Sequence, residues 1–534
     1  MNQQIGHDAA QMLLAMRKDM GDMVSNVAES DSGLLLSAVC RADALPSVVA
    51  WLVERRKYRF ATLVVQAMDS GDQLDYWFYK PDDGPWIKLS VRLAPNAREV
   101  PSVSELIHAI DWHERQAEDL FGLAFTGHPK LGDFVLHEEW PEGINPMRPE
   151  FDAFKPLVEK EVDPHWRPEK ILHTPGAFIM PIGPVYSDYA ESAQFFLETV
   201  GEDVVRMIPR FFFKYRGVEK LAEARGSGDV LLMVERFSGT SAVAHATAFC
   251  RAIESIARIA VPPRAEALRL IAAELERMRH HFGLLSDICH STGMIVPSAD
   301  IDIMEEEALR LSAQWAGHRY IYGLIIPGGV TRDFSESEMI LLTTRIAGLA
   351  HDAQRLYERL QFTSSFLDRF EGVGVVPTIN AQRLGLVGPI ARASDFKTDL
   401  RIHAPYGFYH HCPLVAEALE SEGDGYARIR LLFAEVFAAA ELIQRAAVML
   451  PVGAVVEPVN AVPAGDALGV VEAPKGAAFH YVRTSEDGQV ARLQMTTPSF
   501  TNWHGFHLAA ENFAFQDFPI MMASFGLSIA ESDR

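Results

Sequence analysis

Short stretches of alternating apolar and polar residues dominate the first part of the chain. Four of them predict strands, at residues 34–39, 60–67, 74–79 and 86–93. A Ser70-Gly71-Asp72 turn joins the second strand to the third as a hairpin. Helical spacing is present at 46–57 and at 102–120, where Ser102 followed by Glu105 predicts a capped helix start. The first part therefore predicts an α+β fold.

Beyond residue 179, apolar residues recur mostly at helical spacing. Five segments predict helices, at residues 242–260, 265–292, 298–322, 335–362 and 428–449. Alternation at 183–202 and at 467–495 predicts small β-elements near the start and the end of this part. Closely spaced prolines between the two parts predict an extended linker. We therefore expect an α+β domain at residues 1–140, a proline-rich linker at 141–178 and a mainly α domain with small β-elements at 179–534.

The composition is that of a folded protein with two or three domains, because 534 residues exceed what a single core holds. A net charge of −22 argues against nucleic acid as a partner and against direct binding to an anionic membrane surface. None of the four cysteines forms a CxxC pair, which fits a cytoplasmic, reducing compartment. The sequence shows neither a run of 18 uncharged apolar residues nor the pattern of a signal peptide, so we expect no membrane span.

The segment DWHERQAEDLFGLAFTGHP, at residues 111–129, has the pattern of a charged helix end, an apolar strand and a turn. It resembles the signature of the C-type subunit of bacterial complex I, through Glu114-Arg115, Asp119-Leu120, Gly122, Phe125 and Gly127-His128-Pro129. In that family the segment is structural and docks on neighbouring hydrophilic subunits. The resemblance implies an N-terminal domain like the C-type subunit of complex I.

Motifs along the rest of the chain follow the order of a second family. They lie at residues 183–202, 214–221, 261–265, 274–277, 327–330, 388–394, 399–406 and 472–476. They resemble the D-type subunit of complex I and the large subunit of group 4 nickel–iron hydrogenases, of the formate hydrogenlyase and hydrogenase-4 type. A fusion of the two subunit types is what formate-hydrogenlyase-like large subunits show. The resemblance implies a peripheral-arm subunit of a membrane-associated oxidoreductase, NADH:quinone-oxidoreductase-like or hydrogenase-like and coupled to ion translocation.

The hydrogenase family holds nickel with four cysteine thiolates, two of which bridge to iron. The matching positions in this chain are Ser238, Ser241, Ser528 and Glu531. Hydroxyl and carboxylate groups are hard oxygen donors, whereas a redox-active nickel needs soft, deprotonated sulfur. We therefore expect no nickel–iron centre, no other metal and no hydrogenase activity. The serines are interpreted as filling the former metal site.

Quinone is a further candidate ligand, because the D-type subunit of complex I holds the quinone headgroup with a histidine and a tyrosine. Those positions fall on Ala190 and Gly239, which argues against quinone reduction by that pair. The candidates that remain for a catalytic role are Glu191, Glu219, Arg236 and His245. We expect Arg236 either to hold a carboxylate, Glu235 or Asp533, or to face the cavity.

The resemblance also implies partners and a location. A small iron–sulfur subunit, of the B type in complex I, would carry a four-iron four-sulfur cluster, and this chain would bind no cofactor of its own. Membrane proteins of the antiporter type and of the H type in complex I would hold the chain at the cytoplasmic face of the cell membrane. Two functions stay open: an electron-transfer protein that acts on an acceptor in a remodelled cavity, and a catalytically silent one that couples another subunit's electron transfer to ion pumping.

Overall fold

The chain separates into two compact units. The computed structural model describes residues 2–30, 34–68, 70–81, 84–158, 160–161, 168–185 and 191–534, so Ala190 lies outside the described residues. The first unit consists of Met1–Glu169, Arg210–Tyr215 and Arg383–Gly385, and the second of Lys170–Pro209, Arg216–Gln382 and Leu386–Arg534. The predicted fold class is confirmed, because the first unit is α+β and the second is mainly helical with small sheets. The domain limits at 140 and 179 stay a prediction.

A five-stranded sheet forms the body of the first unit. Its strands are β1 (Val24–Glu29), β2 (Leu35–Cys40), β3 (Arg59–Met68), β4 (Gly71–Tyr79) and β5 (Trp86–Arg92), in the order β1-β2-β5-β4-β3. All neighbours run antiparallel except β2 and β5, which are parallel. The predicted hairpin is present, since Met68 on β3 pairs with Gly71 on β4. The alternating pattern therefore identified four of the five strands, β2 to β5, and missed β1.

Helices and two short strands accompany this sheet. They are α1 (Asn2–Met20), α2 (Leu45–Ala50) with a π-helical turn at Trp51–Arg55, β6 (Glu99–Pro101), α3 (Asp111–Phe121) and β7 (Ala124–Thr126). The capped helix start predicted at Ser102 is wrong, because α3 begins only at Asp111. Ser102 Oγ donates instead to Glu114 Oε2 at 2.5 Å, and the Val103 N–H donates to Glu114 Oε1 at 2.9 Å. This tertiary contact overrides the local capping pattern, because a buried carboxylate needs its hydrogen bonds.

The signature segment at 111–129 is held by a second buried carboxylate. Asp119 Oδ2 accepts three consecutive backbone N–H groups, from residues 134–136, at distances between 2.6 and 3.0 Å. Burial raises the pKa of Asp119, and these N–H groups oppose that shift. α3 ends at Gly122, whose φ of +68° lies in the left-handed region that favours glycine. Asp119 and Gly122 therefore maintain the local fold of the first unit.

Helices form most of the second unit. They are α4 (Val218–Leu221), α5 (Ser227–Arg236), α6 (Ala242–Ala257), α7 (Pro263–Ser291), α8 (Ile295–Ala316), α9 (Glu336–Leu360), α10 (Ser364–Phe370), α11 (Thr378–Arg383), α12 (Gly388–Arg392), α13 (Leu400–His403), α14 (Gly425–Val448), α15 (Pro498–Ala509) and α16 (Phe518–Phe525). The long helix α7 packs against both α8 and α14, and apolar side chains of all three enter one core. α8 stops before the predicted end at 322, because Gly317 takes a left-handed φ of +84°.

Small sheets complete the second unit. Its strands are β8 (Ala177–Ile182), β9 (Gln194–Val200), β10 (Asp203–Arg210), β11 (Ile325–Ile326), β12 (Gly329–Val330), β13 (Gly465–Ala473), β14 (Gly476–Thr484), β15 (Val490–Thr496) and β16 (Phe513–Ala514). β13, β14 and β15 form an antiparallel sheet against which α6 packs. A Cβ at Gly469 on β13 would lie only 1.8 Å from the carbonyl oxygen of Ala248, so glycine permits this approach. Among the described residues, no helix is both long and apolar enough to cross a membrane.

Candidate functional site

Residues 531–534 lie fully buried in the second unit. α16 ends at Phe525, and Gly526, with a φ of +57°, turns the chain back into the interior. Thr497 Oγ1 donates to the Glu531 carbonyl at 2.8 Å. The backbone N–H of Arg216 donates to the Asp533 carbonyl at 2.9 Å. These bonds fix the segment so that the Glu531 carboxylate points into the protein.

The four positions that match the nickel ligands of the hydrogenase family meet around this carboxylate. Ser241 Oγ donates to Glu531 Oε1 at 2.9 Å, and the Glu531 N–H donates to Ser528 Oγ at 3.3 Å. Ser238 Oγ lies 3.0 Å from Thr240 Oγ1, and Thr240 Oγ1 donates to Glu531 Oε1 at 3.3 Å. The segments at 238–241 and 528–531 therefore approach each other as the sequence motifs imply.

Lys475, which belongs to the matched motif at 472–476 but was not among the candidate site residues, completes the arrangement. Lys475 lies in the turn between β13 and β14, and it is buried. Its Nζ donates to Glu531 Oε1 at 3.1 Å and to Thr240 Oγ1 at 2.6 Å. Ser499 Oγ donates to the other carboxylate oxygen, Glu531 Oε2, at 2.5 Å. We call this set the Glu531 cluster; its members are Ser238, Thr240, Ser241, Lys475, Ser499, Ser528 and Glu531.

Electrostatics keep Glu531 ionised. Burial opposes ionisation, but the Lys475 ammonium, His245 and Ser499 outweigh it and hold the pKa of Glu531 well below its usual range. Burial lowers the pKa of Lys475, and the neighbouring carboxylate opposes that shift. Neither charge has bulk water to solvate it, so each depends on the other and on the surrounding hydroxyls. The cluster is therefore a buried ion pair in which both oxygens of the Glu531 carboxylate accept hydrogen bonds.

His245, on α6, lies beside the Glu531 cluster. Its Nε2 is 3.9 Å from Glu531 Oε1, and its Nδ1 is 3.0 Å from His480 Nε2 on β14. Both imidazoles are fully buried. Burial, then His245 and Arg534, hold the pKa of His480 well below its usual range, so His480 is neutral. The contact with His480 orients the His245 ring so that Nε2 faces the carboxylate.

The donor set of the Glu531 cluster does not fit the nickel–iron centre that the resemblance implies. Its side-chain donors are three serine hydroxyls and one carboxylate at the four matching positions. Oxygen donors of this kind do not form the soft thiolate cage that such a centre needs. The Lys475 ammonium, 3.1 Å from Glu531 Oε1, would also repel any cation bound to that oxygen.

Two candidates for a catalytic role, Glu219 and Glu191, take part in ion pairs within the second unit. Glu219 is fully buried, and its Oε1 accepts Arg534 Nε at 3.1 Å and the Met495 N–H at 3.0 Å. Glu191 is partly exposed and lies 3.2 Å from Arg216. Glu219 therefore ties residue 534 to β15, and Glu191 sits at the accessible side of the same region.

Arg236, a third candidate, ends α5 with its side chain 53% exposed. Its Nε is 3.3 Å from Glu235 Oε1, and its guanidinium lies over the Tyr322 ring at 5.4 Å. Of the two carboxylates considered from the sequence, Glu235 is the one that it contacts. A Cβ at Gly239 would lie 3.7 Å from the Tyr322 hydroxyl, so a tyrosine hydroxyl stands close to the position that the sequence resemblance matches to the quinone-binding tyrosine. Sequence reasoning missed Tyr322, because this proximity arises from the loop after α8.

A buried charge network adjoins the site, and sequence reasoning missed it as a unit. Its members are Glu274, Arg277, Arg392, Asp399, Arg401, Glu435 and Glu472. Arg401 lies 3.0 Å from Glu274, and Arg392 lies 3.1 Å from Glu472. Burial, then Asp399, raise the pKa of Glu472 to about 7. Most members lie in the matched motifs. Charged residues that recur within otherwise apolar segments were therefore the sequence signal that could have predicted this network.

Comparisons with known proteins agree with this architecture. A family model described as respiratory-chain NADH dehydrogenase, 30 kDa subunit, matches residues 38–156, and one described as the 49 kDa subunit matches 287–461 and 454–534. The chain is similar to formate hydrogenlyase subunit 5 of Escherichia coli, with 28% identity over 506 residues that cover 93% of this chain and 89% of the relative. It is also similar to hydrogenase-4 component G of the same organism, with 28% identity over 84% of this chain and 78% of the relative. The C/D subunit of the NADH-quinone oxidoreductase of Acinetobacter baylyi is 23% identical over 84% of this chain and 82% of the relative.

Proposed function

We propose that this chain is a peripheral-arm subunit of a membrane-associated electron-transfer complex coupled to ion translocation. It fuses a domain of the respiratory-chain NADH dehydrogenase 30 kDa subunit type to one of the 49 kDa subunit type. The names of its relatives support this proposal, since they include a formate hydrogenlyase subunit, a hydrogenase-4 component and NADH-quinone oxidoreductase subunits. The proposed partners are a small iron–sulfur subunit, of the B type in complex I, and membrane proteins of the antiporter type and the H type. The proposed location is the cytoplasmic face of the cell membrane.

We further propose that the protein works without a nickel–iron centre. The observation that carries this proposal is the ion pair between Lys475 and Glu531, which lies where the segments at 238–241 and 528–531 meet. The four-iron four-sulfur cluster of the complex would belong to the small partner subunit. In this chain the four cysteines, Cys40, Cys250, Cys289 and Cys412, are all buried and unpaired.

Affinity purification from mildly solubilised membranes tests the membership of the complex. A tag on this chain should retain a small iron–sulfur subunit and antiporter-like membrane proteins, identified by mass spectrometry. The purified complex should give the electron paramagnetic resonance signal of a reduced four-iron four-sulfur cluster. Recovery of this chain alone, without such partners, from both membranes and lysate would contradict the proposal.

One observation favours an acceptor site over a catalytically silent role. Tyr320 and Tyr322 lie beside Gly239, and two guanidiniums face their rings, Arg279 over Tyr320 at 5.0 Å and Arg236 over Tyr322 at 5.4 Å. Aromatic faces and a phenol hydroxyl next to cations suit the headgroup of a quinone. The silent role is supported by the closed Glu531 cluster, which leaves no free ligand group at the former metal site.

Quinone reduction by the purified complex separates the two functions. If the tyrosines bind an acceptor, Tyr322→Phe should raise the apparent KM for a short-chain quinone by about 2–13-fold, the equivalent of one neutral hydrogen bond. Tyr357→Phe, a tyrosine on α9 away from Gly239, is the matched control and should leave KM unchanged. Equal KM values for all three proteins, with ion pumping intact, would support the silent coupling role.

A further inference from the structure

Arg428, on α14, is a fully buried cation whose partners are almost all neutral. Its guanidinium donates to the carbonyls of Gly374, Gly423 and Val373 at 3.0, 2.9 and 3.5 Å and to Ser524 Oγ at 2.9 Å. Its Nε has no hydrogen-bond partner among the described residues. An arginine side chain carries five N–H donors, so one donor of a buried cation is left over. Buried donors without acceptors are rare and call for an explanation.

The charge of Arg428 is also poorly compensated. Within the described residues no carboxylate oxygen lies at ion-pair distance from it. Asp424, one helical turn earlier, attracts it from further away, but the Asp424 carboxylate accepts the N–H groups of Ala427 and Gly372, each at 2.8 Å. The Phe525 ring lies 4.1 Å below the guanidinium and supplies only a cation–π contact. Burial lowers the pKa of Arg428 to about 9, and Asp424 reverses only part of that shift.

A small cavity adjoins this cation. It is large enough to hold about one water molecule or one ion of similar size. Its polar lining consists of Arg428, Lys475, His280 and Ser524, and apolar residues form the rest. No carboxylate lines it among the residues that the structure describes. Burial, then Lys475, hold the pKa of His280 well below its usual range, so His280 adds no charge.

Lys475 contributes a second unused donor to the same cavity. Its ammonium carries three N–H groups, and two are used by Thr240 and Glu531. The third has no acceptor among the described residues. Two cationic side chains, each with an N–H group that lacks an acceptor among the described residues, thus line one cavity, while the negative charge of Glu531 is already engaged with Lys475. The cavity presents donors and net positive charge, which is the requirement for an anion.

We propose that this cavity binds a halide-sized monovalent anion, such as chloride, between Arg428 and Lys475. Chloride is only slightly larger than a water molecule and accepts hydrogen bonds without donating any. A water molecule would satisfy the same donors but would leave the charge of Arg428 uncompensated in a low-dielectric interior. The small space of the cavity favours a monatomic anion over a tetrahedral oxyanion or an organic acid. The bound anion would adjust the electrostatic field at Lys475 and so at the Glu531 cluster.

Thermal unfolding of the purified chain or of its complex tests the site. Bromide replaces gluconate at constant ionic strength, so that general screening stays fixed. Binding to the folded state predicts a saturable rise of the unfolding temperature, and at a bromide concentration ten times Kd the unfolding constant should fall about 11-fold. Arg428→Met should abolish the dependence on bromide. Arg430→Met is the matched control, because Arg430 lies on the same helix but pairs with Glu420 and Glu422, and it should retain the dependence.

The alternative outcomes decide the proposal. An unfolding temperature of the unsubstituted protein that ignores bromide would overturn it, and so would an equal response of the Arg428→Met variant. If that variant does not fold, anomalous diffraction from bromide-soaked crystals of the unsubstituted protein replaces it. An anomalous peak within hydrogen-bond distance of Arg428 Nε supports the site. A cavity that contains only water, or bromide only at surface positions, refutes it.

Discussion

The ammonium of Lys475 lies 3.1 Å from the carboxylate of Glu531, although 56 positions separate the two residues along the chain. The sequence resemblance matches Glu531 to a nickel-binding cysteine of the hydrogenase family, and at that position the carboxylate is paired with the Lys475 ammonium. Ser241, Thr240 and Ser499 supply the remaining hydrogen bonds to the carboxylate. A carboxylate at this buried position is stable because the lysine accompanies it.

Removing either charge of this pair should destabilise the protein strongly. Lys475→Met leaves the Glu531 carboxylate buried without its cation, and the loss of one partner of a buried pair costs about 3–5 kcal/mol. We expect that decrease in the free energy of unfolding, measured by urea denaturation followed by circular dichroism. The double variant Lys475→Met/Glu531→Gln should be more stable than either single variant, because no unpaired charge remains.

The matched control is the exposed pair of Arg310 and Glu306, whose side chains are 68% and 38% accessible. Arg310→Met should leave the free energy of unfolding nearly unchanged, as is usual for surface ion pairs. Similar losses for Lys475→Met and Arg310→Met would show that the buried pair does not stabilise this site.

Much of the fold follows from local sequence, and the site follows from it only in part. The hairpin of β3 and β4 was predictable because alternation and a glycine turn are local signals. The convergence of Ser238, Ser241, Ser528 and Glu531 was expected from the order of the motifs. Lys475 was not expected in the cluster, since the β13–β14 turn delivers it through long-range packing that leaves no periodic signal. The wrong prediction of a capped helix start at Ser102 has a similar origin, because Ser102 donates to the Glu114 carboxylate instead of capping a helix.

The purified complex should contain no stoichiometric nickel. Hydroxyl and carboxylate donors do not replace a thiolate cage, and Lys475 repels a second cation at Glu531. Elemental analysis by plasma mass spectrometry should find far less than one nickel per chain, while iron from the partner's iron–sulfur cluster serves as the internal reference. A ratio close to one nickel per chain would refute the proposed metal-free site.

The serines at the former ligand positions should differ in importance. Ser241→Ala removes a hydrogen bond to the ionised Glu531 carboxylate, and such bonds contribute about 1.5–3 kcal/mol. Ser238→Ala removes a bond to the neutral hydroxyl of Thr240, which contributes about 0.5–1.5 kcal/mol. Urea denaturation of both variants should therefore rank Ser241→Ala as the less stable. Indistinguishable free energies of unfolding would indicate that these hydroxyls only fill space.

The buried carboxylate of Glu276, on α7, contacts the first turn of α6 and should make the stability of the protein depend on pH. Glu276 accepts the N–H groups of Val243 and Ala244 at 2.7 and 3.1 Å. Burial raises its pKa to about 7, against the opposing effect of Arg279 and these N–H groups. Since the ordinary pKa of a glutamate is 4.5, the folded protein binds more protons than the unfolded chain between about pH 4.5 and 7. Protonated Glu276 therefore adds to the free energy of unfolding at low pH, and this contribution is lost as pH rises through that window.

Glu276→Gln should flatten this part of the stability profile. The substitution removes the titrating group, so the fall between pH 5 and pH 8 should shrink by up to roughly 3 kcal/mol. Urea denaturation at several pH values measures it, and Glu472, whose pKa is also raised to about 7, leaves a residual slope in the variant. An unchanged profile would mean that Glu276 stays ionised in the folded protein throughout this range.

Two arginines near the site should separate structural from functional roles. Arg534 is fully buried and donates from Nε to Glu219 at 3.1 Å, whereas the Arg236 side chain is 53% exposed and pairs with Glu235 at 3.3 Å. Arg534→Met should lower the free energy of unfolding by about 2–4 kcal/mol, because it removes one cation from a buried carboxylate that keeps Arg492 as a partner.

Arg236→Met, by contrast, should lower the free energy of unfolding by less than about 1 kcal/mol, as expected for an exposed pair. If Arg236 assists an acceptor at Tyr322, the same variant should raise the KM for quinone while its stability stays near that of the unsubstituted protein. A large loss of stability in Arg236→Met together with an unchanged KM would assign Arg236 to the fold instead.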